Sequence, residues 1–371
     1  MIYADNAATT VLDVDAFEAM KPFLLSEYGN ASQAYSFSRS AKKALRDARE
    51  TIAECIGAYP EEIYFTSGGT ESDNWAIKGM MRYGDGRAII TSQIEHHAVL
   101  NACAAVEQLG VPVVYLPVNA QGIVTEATMQ NTITGNTKLV SIMLANNEIG
   151  TIEPISELSA IAHKHGALFH TDAVQAVGHI PLDVKKLGVD MLSASAHKFN
   201  GPKGVGFLYI KKGTAIRPYA DGGSQEFGMR AGTENIASIF AMALALRKNC
   251  EHINETETKL LKMEALFFRT LERSGIDFLR NGARKRIPGN ISISIRGANG
   301  EMLLHRMDLK GICISTGSAC NSVSAKISHV IQAIDVPDEY ARGTIRISFG
   351  KYNRESDAQT VASALIEILR K

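Results

Sequence analysis

A lysine in this chain stands where a merely solubilising charge would be out of place. Residues 189–210 read VDMLSASAHKFNGPKGVGFLYI: an apolar run leads into Ser195-Ala196-His197-Lys198, a Gly/Pro-rich turn follows, and a second apolar run ends at Ile210. Burial disfavours an ammonium ion, so an amine at the end of a buried strand can serve as a nucleophile or form a Schiff base. The competing reading is an ordinary surface lysine at a strand end.

Three further segments carry groups that could work with it. Residues 63–83, IYFTSGGTESDNWAIKGMMRY, read as a strand, a Ser-Gly-Gly-Thr turn and a helix. Glycines at a helix start expose backbone N–H groups, and Thr70 adds a hydroxyl, so the turn suits a phosphate; a plain N-cap is the alternative. In residues 167–177, ALFHTDAVQAV, Asp172 falls just past an apolar run and Gln175 follows. A carboxylate at the C-terminal edge of a strand faces the crevice where open α/β sheets bind ligands, although a helix cap explains it equally well. In residues 312–320, ICISTGSAC, Cys320 follows a strand through a loop of small residues, where a thiol is accessible. Cys313 is its nearest competitor, whereas Cys55, Cys103 and Cys250 sit in helical patterns as packing residues. Lysine, acid and anion-binding turn together match the needs of pyridoxal 5'-phosphate (PLP): an amine for the aldehyde, a carboxylate for the pyridinium nitrogen, a helix start for the phosphate.

These groups need a sheet to position them. Apolar runs at 63–66, 88–91, 113–116, 139–144, 167–170, 191–194 and 206–210 alternate with helical patterns at 41–56, 71–83, 99–109, 155–165 and 174–178. Such alternation predicts an α/β domain with a mainly parallel sheet flanked by helices. Residues 233–268 read as one or two connecting helices. Beyond Gly275 come strands at 276–279, 290–295, 312–315 and 344–349 with helices at 301–308, 327–334 and 355–369, a smaller α+β domain. The expected division is 13–250 for the large domain, with 1–12 and 251–371 forming the small one.

Composition narrows the classes. The 371 residues, 45% hydrophobic and 21% charged, suit a two-domain globular protein with a substantial core. Lys plus Arg and Asp plus Glu both number 39, which removes a general electrostatic reason to bind nucleic acid or anionic membranes. Neither a signal-peptide pattern nor an apolar stretch of spanning length is present, so the cytoplasm is the expected location. The five cysteines form no CxxC pair or zinc spacing and read as reduced thiols, with no metal site.

The chain resembles the cysteine desulfurases of the NifS/IscS type, in the class V aminotransferase group of fold-type I PLP-dependent transferases. The likeness runs nearly end to end, through YADNAATT, FTSGGTESDNWAIKG, EHHAV, NNEIG, HTDAVQAVG, SASAHKFNGPKGVG, MRAGTENI, STGSAC and TIRISFG. It implies that Lys198 is the Schiff-base lysine, Asp172 the partner of the pyridinium nitrogen, and Gln175 a donor to the phenolic oxygen. His96, favoured over adjacent His97, would stack on the ring and assist proton transfer. Gly69, Thr70, Ser195 and His197 would bind the phosphate, and Thr233 would reach the phosphate of a neighbouring subunit, implying a homodimer. Asn147 would lie near the substrate or ring oxygen, Arg346 would take the carboxylate of L-cysteine, and Cys320 would form the persulfide before passing sulfur to an acceptor protein in iron–sulfur cluster assembly or tRNA thiolation.

The sequence departs from the family pattern in places. The nucleophile loop has the SxGSAC form rather than RxGHHC, which implies a longer loop able to deliver sulfur outward. Ile327-Ser328 replaces a frequent Pro-Ser pair, and the end at Lys371 implies that scaffold docking does not use an extended C-terminal tail. A selenocysteine lyase or class V aminotransferase is the related alternative. A non-catalytic sulfur-pathway subunit is the alternative of another class, and it would have no need of Lys198, Asp172, His96, Cys320 and Arg346 together.

Overall fold

The computed structural model describes residues 1–81, 86–316 and 327–370. Seven strands form the main sheet: β2 (Ile63–Thr66), β3 (Ala88–Ser92), β4 (Val113–Leu116), β5 (Thr137–Ser141), β6 (Leu168–Asp172), β7 (Met191–Ser195) and β8 (Gly206–Ile210), in the order β2-β8-β7-β6-β5-β3-β4. From β7 to β4 neighbouring strands are parallel, and β8 alone runs antiparallel to both of its neighbours. Every residue of β7 and β8 is buried, as expected for strands covered on both faces. The reversal at β8 has a local cause. The connection 196–205 holds a single turn rather than a crossover helix, and so short a link returns the chain antiparallel. Gly206 is needed where β8 starts, because a Cβ there would lie 2.4 Å from the Ala194 carbonyl oxygen and 2.7 Å from the Gly68 Cα.

Helices cover the sheet. Among the first are α1 (Val14–Leu25), α2 (Arg39–Ile56), α3 (Gly69–Gly79) and α4 (His97–Glu107). α2 buries Ala41, Ala44, Ala48, Ile52 and Ile56, a stripe at helical spacing, and ends on Gly57 in the left-handed conformation. Two apolar clusters pack the sheet, one containing Ile90, Val140, Phe169, Leu192 and Phe207, the other Trp75, Ile89, Leu139, Met191 and Leu208.

A separate cluster joins Ala4 to residues between 260 and 368. Here an antiparallel sheet in the order β12 (Thr344–Ser348), β10 (Asn290–Ile295), β9 (Phe278–Arg280) packs against helices Ile253–Glu272 and Glu355–Leu369. The N-terminus belongs to the same unit: β1 (Ile2–Tyr3) pairs in parallel with β11 (Ile312–Cys313), and Ser348 N donates to the Ala4 carbonyl.

Several boundaries differ from the sequence reading. No helix forms over 174–178. Asp172 caps the N–H of Val174, Ala176 and Val177 close tight turns onto the Ala173 carbonyl, and Gly178 at φ +76° leads the chain away. The 233–268 stretch is two helices, Ile236–Glu251 and Ile253–Glu272, broken at His252. The strand expected at 276–279 is Phe278–Arg280, that at 312–315 shortens to Ile312–Cys313, and the helix at 327–334 shortens to His329–Ala333.

Asp13 ties the two cores together. It caps α1 by accepting from Asp15 N and Ala16 N, pairs with Lys248 at 2.9 Å and Lys351 at 3.4 Å, and accepts from the Tyr352 hydroxyl at 3.1 Å. Burial opposes its ionisation, but the Lys248 hydrogen bond and the Lys351 charge outweigh it and hold the carboxyl at about 2. A folded value below the unfolded one means stability that is present above about pH 4 and lost as the pH falls through about 2. Asp13→Asn should therefore lower stability by roughly 2 kcal/mol at neutral pH, with the difference from the parent shrinking below about pH 4 and vanishing only below about pH 2 in urea titrations.

Candidate active site

The C-terminal ends of β5, β6 and β7 open into a cavity of about 840 Å³, which α3, α4, the N-terminal segment and the end of the 327–346 region close. Gly69, Thr70, His96, Asn147, Asp172, Gln175, Ser195, His197, Lys198 and Arg346 all line it. Thr233 does not; it is exposed, on the segment that precedes helix Ile236–Glu251. Cys320 lies outside the described residues. A larger cleft of about 1430 Å³ opens beside Glu153, Leu261 and Arg286 but contains none of the expected groups, so chemistry rather than size marks the site. Among the described residues no cluster of His, Cys, Asp and Glu could hold a metal, and no helix is long and apolar enough to cross a membrane.

Lys198 is half-buried, in a turn over Ala196–Lys198 rather than at a strand end. Its Nζ donates to the carbonyls of Ala7 at 2.7 Å and Ala8 at 2.9 Å, and Gln175 Nε2 donates to the same Ala7 carbonyl at 2.9 Å. Residues almost two hundred positions apart thus fix the amine. Asp172 ends β6 with its Oδ1 accepting from Val174 N at 2.9 Å. Burial raises its carboxyl, while the nearby His96, the Val174 N–H and Lys198 favour the charged form. His96 caps α4 through Nδ1, which accepts from Ala98 N at 3.1 Å. That bond places the proton of the neutral ring on Nε2. Burial pushes the imidazole down; Asp172 pulls it up, and Lys198 and His97 push it down further. His97 instead meets the His329 ring edge-on, with centroids 5.0 Å apart.

The floor holds more acid than the sequence reading found. Asp73, on α3, is 1% exposed, and its Oδ1 has no hydrogen-bond partner among the described residues. Burial and then the Asp172 charge push this carboxyl well above the ordinary range, although Ser193 opposes the shift. His170 Nε2, 3.7 Å away, offers no cation: the ring is held between Ser141 and Ser193, and burial lowers it to about 3. Glu95 accepts from Ser92 and from Met143 N, yet burial raises it to about 8.

Arg346, 4% exposed, pairs through Nη2 with Asp5 at 2.7 Å and donates through Nη1 to the Asn147 carbonyl at 3.0 Å. Its Nε is buried without a partner among the described residues. Asn147 therefore meets Arg346 through its main chain. Next to it, burial pushes Glu148 up to about 7, against the Ser328 hydroxyl that donates to it at 2.6 Å and the Arg346 charge. Asp5, Asp73, Glu148 and His329 all stand inside or beside motifs visible in the sequence. Nothing in the spacing of Asp73 and Glu148 announces that they are buried, with Asp5 and His329 half-buried beside them.

The donor set fits PLP. The first N–H groups of α3 lack helical acceptors and point at the cavity mouth, and Gly69 lets the chain approach closely, since a Cβ there would lie 2.6 Å from Val174 Cγ2. A buried carboxyl and an anchored lysine stand across from it.

The family model described as aminotransferase class-V matches residues 2–361. The chain belongs to that family of PLP-dependent enzymes. Its relatives narrow the class: "Cysteine desulfurase IscS" of Dictyoglomus turgidum is 49% identical over 373 residues, covering 100% of this chain and 95% of that one. A solved "NifS-like protein" superposes with a TM-score of 0.94 at 37% identity, covering 100% and 99% of the two chains. A structure titled "SspA in complex with cysteine" gives 0.85 at 36%, covering 95% and 100%. Within the class V family, then, the chain is a cysteine desulfurase.

Glu148 offers a test of the acid-rich floor. A carboxyl whose folded value is raised contributes fully below about pH 4.5 and loses that contribution as pH rises through about 7. Glu148→Gln should flatten the decline in stability of the apo-protein between pH 5 and 8, by up to about 3 kcal/mol, as read by denaturant melts across that range.

Proposed function

We propose that this cavity converts L-cysteine to L-alanine and hands the sulfur to Cys320, with the roles divided among the residues as follows. Gly69, Thr70, Ser195 and His197 hold the phosphate of PLP, Asp172 faces the pyridine nitrogen, Gln175 the phenolic oxygen, and Lys198 is the amine that takes the aldehyde. When bound, PLP supplies an electron sink that stabilises negative charge at the substrate Cα. His96, whose neutral ring carries its proton on Nε2, would stack against bound PLP and move protons at the substrate. Arg346, which lines the cavity, takes the substrate carboxylate. Cys320, as thiolate, forms a bond to the substrate sulfur while the Cβ–S bond breaks; alanine leaves and the enzyme keeps a persulfide. An unperturbed thiol is only a few per cent ionised at neutral pH, so removal of its proton, by His96 or the substrate amine, belongs to this step.

The observation that carries this reading is the convergence of Lys198, Asp172, His96 and Arg346 on one cavity from four separate parts of the chain. The persulfide passes to a sulfur-acceptor protein. The IscS name of the relatives favours an iron–sulfur scaffold as that acceptor, with the enzyme working in the cytoplasm. A homodimer is supported by exposed apolar side chains, Leu24, Leu25, Tyr28, Tyr35 and Phe37, and by the exposed position of Thr233 outside its own cavity.

Lys198→Ala should abolish the visible absorption that PLP gives the parent enzyme, and an unchanged spectrum would remove Lys198 from its role. Cys320→Ser should keep that absorption and still perturb it on adding L-cysteine, yet release almost no sulfide with a reductant present. Sulfide release at the parent rate would assign the sulfur chemistry elsewhere. Arg346→Ala should raise KM for cysteine by roughly tenfold to a hundredfold, the size of a lost charge-assisted pair, and a parental KM would end the carboxylate assignment.

A further inference from the structure

The segment that carries Thr233 is pinned at two points, and the first is a buried ion pair at the open edge of the main sheet. Among the described residues β2 pairs only with β8, so the N–H and C=O groups on its other side face no described strand. Arg49, from α2, and Glu226 fill that edge. Arg49 Nη1 donates to the Ile63 carbonyl, Phe65 N donates to Glu226 Oε2 at 2.9 Å, and the two side chains join in a fork, Nη1 to Oε2 at 2.9 Å and Nη2 to Oε1 at 2.8 Å. The guanidinium lies between two rings, 4.4 Å from the centroid of Phe65 and 5.0 Å from that of Phe227.

Holding Glu226 there forces the backbone. Glu226 at φ +45° and Phe227 at φ +59° both occupy the left-handed region, which side-chain-bearing residues rarely adopt. Two consecutive residues persist in that region only where their surroundings over-determine them, and the fork supplies that determination. The second pin follows directly: Arg230 Nε and Nη2 reach the Glu71 carboxylate at 2.8 and 3.2 Å, and Glu71 also accepts from Ser67 N, in the turn before α3. Thr233 stands three residues beyond this pin, exposed.

We propose that Glu226, through Arg49, is a positioning residue for the cofactor phosphate bound in the neighbouring subunit, because the edge pair sets where the Thr233 segment projects. This rests on the composite-site reading of Thr233. A fork that only stabilised the fold would have no reason to be coupled to the phosphate rather than to the whole cofactor.

The test compares two cofactors on the dimeric apo-enzyme, PLP and pyridoxal, which lacks the phosphate, with affinities taken from spectral titration. Glu226→Ala should weaken PLP binding by roughly tenfold, the worth of about one hydrogen bond to an anion, and leave pyridoxal binding unchanged. Equal weakening of both cofactors, unaltered PLP affinity, or sedimentation of the variant as a monomer would each overturn the proposal. Should the alanine variant not fold, Glu226→Asp retains the charge and retracts it by one methylene; it too should weaken PLP selectively, and no change would overturn the idea. Thr233→Val separates the two layers of the argument. A selective loss there with none at Glu226 defeats only the positioning role, whereas parental PLP affinity in the Thr233 variant defeats the composite site itself.

Discussion

Four carboxyl groups share one buried floor, and the low dielectric around them does not allow all four to ionise. Asp73, Glu95, Glu148 and Asp172 line a single cavity, and each is 6% exposed or less. The site is organised by which of them has partners. Asp172 meets a backbone N–H, His96 and Lys198, the groups that favour a charge. Asp73 has an orphaned oxygen, a neutral histidine and the Asp172 charge beside it, all of which favour its proton. Burial raises both carboxyls, and Asp172 is the one for which more neighbours oppose that shift. Each raised acid also costs stability in the apo-protein at neutral pH.

The fold reaches this arrangement by bringing strand ends and unlike segments to one place. β6 and β7 end at Asp172 and Ser195, α3 begins at Gly69, and the turn after β7 presents Lys198. The second unit contributes Arg346 from β12, and the N-terminal segment contributes Asp5 as its ionic partner. The cavity-lining guanidinium is therefore not a bare cation. Asp5 and the Asn147 carbonyl orient it through Nη2 and Nη1.

Much of this was legible before any coordinates. The apolar runs located all seven strands of the main sheet, because strands buried on both faces read as continuous hydrophobic stretches. The lysine, the aspartate and the glycine turn stood out through their place at the ends of those runs. Residues 174–178 misled because their composition suits a helix while the capping carboxylate and Gly178 close the chain into turns. Asp73 and Glu148 escaped notice for a different reason: a carboxylate in a helix or a loop looks solvated until its neighbours are known. The antiparallel β8 was equally hidden, since direction depends on how the 196–205 link folds. The Arg49–Glu226 fork joins residues 177 positions apart, and nothing local in either segment signals it.

The grip of the Ala7 and Ala8 carbonyls on Lys198 has a consequence for biosynthesis. Residues 2–8 are held by groups translated much later: Ile2 and Tyr3 align with Ile312 and Cys313, and Asn6 donates to the Ser348 carbonyl. During translation the leading segment has nowhere to dock, and the amine at 198 emerges before the strands that seat its anchors. The lysine environment is therefore completed only after the segment around Ser348 has been translated, so the amine reaches its final setting late in folding.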